Sequence, residues 1–112
     1  STFLKNRIMA VSKRYLQGAL HPLGDPLLLL ESEQEPQRAL PPIMSFVGTK
    51  DPILEDTRRL EIALKRRKLA HQIDYYPGGL HGFHLAVWTA QAQDCWQRQL
   101  AFMQQYQLGQ NE

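Results

Sequence analysis

Between Pro42 and Pro77 the residue pattern admits little except a strand, a helix and a second strand. "IMSFV", entered through Pro41 and Pro42, is a short apolar run ending at Gly48, the pattern of a strand covered on both faces of a parallel sheet. From Glu55 to Leu69 the residues are strong helix formers. Leu60, Ala63 and Leu64 make one inward stripe there, and Glu61 stands four residues before Lys65. "HQIDYY", from His71 to Tyr76, combines β-branched and aromatic residues and stops at "PGG". A strand–helix–strand unit of this length joins parallel strands by a right-handed crossover, so the expected class is α/β.

The flanks are less constrained. Leu4, Ile8, Val11 and Tyr15 recur at steps of four, three and four, one stripe on a helix that Gly18 would stop. "ALHPLGDPLLLLESEQEPQRALPP" holds five of the seven prolines and reads as loop and short turns, with Leu27 to Leu30 expected to be buried. Leu85, Trp88, Ala92, Trp96, Leu100 and Met103 predict one helix from Leu85 to about Tyr106 that buries both tryptophans. The order is then helix, loop, strand, helix, strand, helix. Two strands and three helices enclose little core, which predicts marginal stability or self-association.

Composition narrows the function classes. With 43% hydrophobic and 21% charged residues the chain is a soluble globular type, expected in the cytoplasm. Thirteen basic against eleven acidic side chains leave a net charge of +2, too weak a field to imply nucleic acid or an anionic membrane. The single Cys95 rules out an intrachain disulfide, no apolar run approaches the ~20 residues of a membrane span, and "STFLKNR" lacks the marks of a signal peptide. "KRRK" at 65–68 closes the helix where cations complement the macrodipole, and reads as a solvated face. His21, His71 and His84 read as structural or surface residues. "HGFH" with one cysteine has no metal-ligand spacing, and neither a metal nor a cofactor is implied.

The chemistry sits where the two strands end. Asp51 follows the first strand and His81 lies in the glycine-bearing loop after the second, thirty residues on. Ligands in open parallel sheets bind at this edge. A carboxylate there can fix an imidazole's tautomer and stabilise its charged form, leaving the other ring nitrogen for a nucleophile.

"LPPIMSFVGTKDPILED" and "YYPGGLHGF", spanning residues 40–84, together resemble the ending of the hormone-sensitive-lipase-like esterases. Those enzymes follow a Leu-Pro-Pro entry and an apolar strand with Gly-x-x-Asp-Pro-Leu, an acidic pair, Tyr-Pro-Gly and His-Gly-Phe. Ile53 stands where they commonly have Leu, and Gly79 is a further small departure. The resemblance implies that Asp51 is the acid and His81 the base of a Ser-His-Asp triad acting on a small-molecule carboxylic ester. Their nucleophile sits in Gly-x-Ser-x-Gly, upstream of the acid. None of Ser1, Ser12, Ser32 and Ser45 has that setting, Ser45 falls inside a strand, and Cys95 on the last helix is a poor substitute. Residues 1–112 are accordingly expected to be the C-terminal segment of an α/β-hydrolase domain, inactive alone and partnered by the nucleophile-bearing part or by self-association. Two alternatives stand beside this: a peptidase of the prolyl-oligopeptidase type, which also ends in a Gly-x-x-Asp strand and a His loop, and a non-catalytic module pairing through its sheet edge.

Overall fold

The computed structural model describes residues 2–15 and 24–108. Its elements are α1 (Thr2–Tyr15), α2 (Pro26–Glu31), β1 (Ile43–Gly48), α3 (Leu54–Arg66), β2 (His71–Tyr76), a 3-10 turn (Phe83–Leu85) and α4 (Ala90–Leu108). β1 and β2 pair in parallel, from Ile43 opposite His71 to Gly48 opposite Tyr76, with α3 as the crossover. The expected α/β class is thus observed. Alternation along the strands sends Val47 and Tyr75 towards α3, and Phe46 and Tyr76 towards the 3-10 turn and α4. Buried side chains lie on both sides of this ribbon: Val47, Ala63 and Leu64 on one, Tyr76, Ala92 and Cys95 on the other. Asp51 and His81 project beyond the same end of it.

α3 ends at Arg66, short of the expected Leu69. Lys68 turns left-handed (φ 56°), its N–H donates to Lys65 O at 3.0 Å, and Leu69 N–H reaches back to Leu64 O at 3.1 Å, a Schellman stop on a residue other than glycine. The four leucines form α2 and are not buried. Asp25 accepts from Leu28 N–H at 3.2 Å as N-cap and Pro26 opens the helix, while Leu28 remains 50% exposed.

Two arginines of the basic run hold α2 in place, which corrects the reading of that run as a solvated face. Half-buried Arg67 donates to the carbonyls of Leu30 (2.7 Å), Leu29 (3.1 Å), Ser32 (2.6 Å) and Gln34 (3.0 Å), and Arg66 reaches Glu31 O. The guanidinium fork satisfies the carbonyls that a helix end leaves open. Arg67→Met keeps the stem and loses these bonds; a loss of about 1.5–3 kcal/mol is expected in denaturant unfolding, with amide exchange in α2 rising most.

The C-terminal helix also departs from expectation. It begins at Ala90, because the Thr89 hydroxyl accepts from Ala92 N–H at 3.2 Å, so Leu85 and Trp88 precede it. Trp88 is 80% and Trp96 42% exposed, and Leu85, Leu100 and Met103 are exposed as well. The buried face is instead carried by Ala92 and Cys95. A two-stranded ribbon is narrower than the apolar stripe, so among the described residues nothing covers the rest of it. Of the first predicted stripe, Val11 is exposed, and the side chains of Leu4, Ile8 and Tyr15, like Gly18, lie outside the described residues. No helix among the described residues is long and apolar enough to cross a membrane.

On the α3 face Tyr75 OH donates to Glu61 at 2.6 Å and Lys65 Nζ does so at 2.8 Å. Lys65 first, then Tyr75, hold the Glu61 carboxyl below its ordinary value of 4.5. Burial, then the bond to Glu61, push the Tyr75 phenol from 10.0 to about 12. The signs differ. Stability from Glu61 is present above pH 4.5 and is lost as pH falls through its lowered value; stability from Tyr75 is full below pH 10 and is lost as pH rises towards about 12. Thermal melts of Tyr75→Phe should lack the alkaline part of that decline and keep part of the acid one.

Candidate active site

The site begins with a close approach of two glycines. Gly48 ends β1 against buried Gly79 of the loop after β2; a Cβ on Gly48 would lie 2.1 Å from Gly79 O. No side chain fits between them. Past this contact, Thr49 N–H donates to Tyr76 O and Lys50 N–H to Gly79 O, each at 3.0 Å, so the two loops leave the sheet stitched together.

Asp51 then turns inward. Its N–H donates to Gly48 O at 3.0 Å, and its Oδ1 accepts from Ile53 N–H at 3.0 Å, the self-bonding that Asp before Pro favours in turns. The carboxylate is thereby oriented by its own loop and is 6% exposed. Its free oxygen, Oδ2, lies 2.9 Å from Nδ1 of His81. Sequence reasoning singled out these two residues, and the fold brings them together.

His81 is held from its C-terminal side. Gly82 adopts φ 76° and admits the 3-10 turn, in which the Phe83 ring packs against Tyr76 (centroids 4.7 Å) and edge-on to Phe46 (5.9 Å). The apolar ring anchors a polar loop to the sheet. A carboxylate can only accept, so Nδ1 carries the proton in the neutral ring and Nε2 has a free lone pair. Nε2 has no hydrogen-bond partner among the described residues, and the side chain is 49% exposed. An imidazole so held can take a proton at Nε2 while the buried carboxylate balances the charge that forms.

The other candidate groups are occupied elsewhere. Ser32 Oγ donates to Leu29 O at 2.7 Å, Ser45 sits mid-strand in β1, and Ser1 and the side chain of Ser12 lie outside the described residues. Cys95 is fully buried, and burial pushes its thiol up, away from the reactive thiolate. His71 Nδ1 lies 2.7 Å from Leu69 O. His84 packs between the rings of Phe46 (5.0 Å) and Trp96 (5.7 Å), its Nδ1 buried without a partner among the described residues; His21 lies outside them. Among the described residues no three metal-ligating side chains converge.

Sequence reasoning missed the supports of this pair: Gly48 against Gly79, the Thr49 side chain, and Phe83. The doubled glycine after Pro77 was the available signal, since two adjacent glycines mark a close backbone approach.

A model of the dienelactone hydrolase family matches residues 8–107, a stretch that includes both Asp51 and His81. The chain belongs to the dienelactone hydrolase family. Members of this family are hydrolases built on the α/β-hydrolase fold, and the parallel β1–α3–β2 unit is part of such a fold. The match establishes the superfamily that the sequence resemblance implied, and names the dienelactone hydrolase family within it. No curated protein and no solved structure matches the chain.

Proposed function

We propose that the chain is the C-terminal segment of a carboxylic ester hydrolase working by a Ser-His-Asp mechanism, to which it contributes the acid Asp51 and the base His81. The 2.9 Å contact between a buried carboxylate and a half-exposed imidazole at one end of a parallel sheet carries this reading. His81 Nε2 takes the proton of a serine hydroxyl as that oxygen attacks the ester carbonyl, then returns it to the departing alcohol; Asp51 holds the tautomer and balances the imidazolium. The serine and the oxyanion donors come from chain that precedes these elements, in the order Ser, acid, His usual for α/β-hydrolases. Two further points favour an ester. The family takes its name from a hydrolase of a lactone, a cyclic ester, and the "LPP" and "DPILED" elements resemble esterases of the hormone-sensitive-lipase-like group rather than peptidases.

Segments 1–112 alone then lack both the covalent step and the electrostatic stabilisation, and are inactive. The test is hydrolysis of a small aryl ester by the 112-residue chain and by a longer protein that contains it. The longer protein turns the ester over and His81→Ala abolishes it, while the isolated chain shows none. Turnover by the isolated chain that His81→Ala removes would overturn the division of labour, and a longer protein indifferent to His81→Ala would overturn the assignment itself.

A further inference from the structure

The loop that delivers His81 turns on one peptide plane. Gly79 N–H donates to Tyr76 O at 3.0 Å, which closes a four-residue turn with Pro77 and Gly78 at its centre. In such a turn the plane between the two central residues can point either way, and flipping it interconverts types I and II. Gly78 at φ 72° makes this a type II turn. A Cβ on Gly78 would meet nothing within 4 Å, so glycine is needed there for the backbone angle and not for space.

Both polar ends of that plane are gripped by side chains from other elements. Gly78 N–H donates to Thr49 Oγ1 at 2.7 Å, and Pro77 C=O accepts from Gln91 Nε2, in the first turn of α4, at 2.9 Å. Thr49 is itself anchored, because its N–H is spent on Tyr76 O. A flip would break both bonds at once and point a carbonyl at the Thr49 hydroxyl and an N–H at the Gln91 side chain. Thr49 stands two residues before Asp51 and Gly78 three before His81, so the Thr49–Gly78 bond ties the loop that carries the carboxylate to the loop that carries the imidazole.

We propose that Thr49 and Gln91 are positioning residues that lock the Pro77–Gly78 peptide and thereby hold His81 Nδ1 on the Asp51 carboxylate. The functional weight of this latch rests on the reading of Asp51 and His81 as a hydrolase's acid and base; the latch itself is a property of the 112-residue chain. Neither residue touches the reacting atoms. Thr49→Val keeps the β-branched shape and removes the acceptor, Thr49→Ser restores it, and Gln91→Ala removes the second grip from an exposed hydrogen bond.

The readout is the His81 tautomer, measured by nitrogen-15 NMR on the folded chain at a pH where the ring is neutral, with Asp51→Asn as reference. The wild type holds the Nδ1–H form. Thr49→Val lowers the ratio of Nδ1–H to Nε2–H roughly two- to tenfold, the equivalent of one ordinary hydrogen bond, Gln91→Ala lowers it less, and Thr49→Ser recovers it. An unchanged ratio in folded Thr49→Val, or no recovery in folded Thr49→Ser, overturns the latch. Should Thr49→Val fail to fold, Gln91→Ala decides: an unchanged ratio there overturns it equally. A wild type no richer in Nδ1–H than Asp51→Asn would instead sink the acid–base reading beneath it.

Discussion

Asp51→Asn, made in a protein that also carries the nucleophile, is expected to lower kcat about ten-thousandfold with little change in fold, the size of effect seen when a triad acid is so replaced. The local geometry specifies why. Asp51 Oδ1 accepts from Ile53 N–H at 3.0 Å, a bond only an oxygen can make. The asparagine carbonyl is therefore held at Ile53, and its NH2 group is presented to His81 Nδ1 in place of Oδ2. An N–H donor facing Nδ1 forces the ring proton to Nε2, so under the proposed mechanism His81 has no free lone pair to take the serine proton. Steady-state hydrolysis of an aryl ester measures the loss, and thermal unfolding checks the fold. A folded Asp51→Asn enzyme retaining more than about a tenth of the wild-type kcat would contradict the role given to this carboxylate.

Gly48→Ala carries the largest expected effect on stability. The new Cβ would stand 2.1 Å from Gly79 O and 2.7 Å from Gly79 Cα, and backbone atoms cannot swing aside as a side-chain tip can. Relief requires the His81 loop to move off the end of β1, which breaks the Lys50 N–H bond to Gly79 O and draws His81 from Asp51. Overpacking of this kind costs about 1–3 kcal/mol, and a backbone-to-backbone clash belongs at the top of that range or above. Gly78→Ala is the matched comparison: its Cβ meets nothing, so only the left-handed angle is penalised, at roughly 1–2 kcal/mol. Denaturant unfolding should rank Gly48→Ala well below Gly78→Ala in stability; equal losses would mean that the glycine contact is not the constraint described here.

The parts read correctly from sequence are those whose signals are local. β2 spans His71–Tyr76 as expected, and β1 closes at Gly48, because a few apolar residues between prolines and glycines leave few other conformations. α3 shows its inward residues Ala63 and Leu64 and its Glu61–Lys65 pair at 2.8 Å, since helical spacing alone brings them together. The failures have the opposite character. That Arg67 would cap a helix more than thirty residues earlier is invisible to a window of neighbours. The stripe with Trp88 and Trp96 has the right period for a buried face, but burial depends on what lies opposite, and a two-stranded ribbon leaves both rings exposed.

The same division runs through the site. The chain's own order of residues determined that an acid follows one strand and a histidine the next, because residues after successive parallel strands must emerge at one edge of the sheet. Only the tertiary structure decided the separation of 2.9 Å, which ring nitrogen meets the carboxylate, and the supports from Thr49, Gln91 and Gly79. Those contacts join residues from 14 to 31 positions apart, and their geometry arises from backbone packing that no spacing rule in one segment contains.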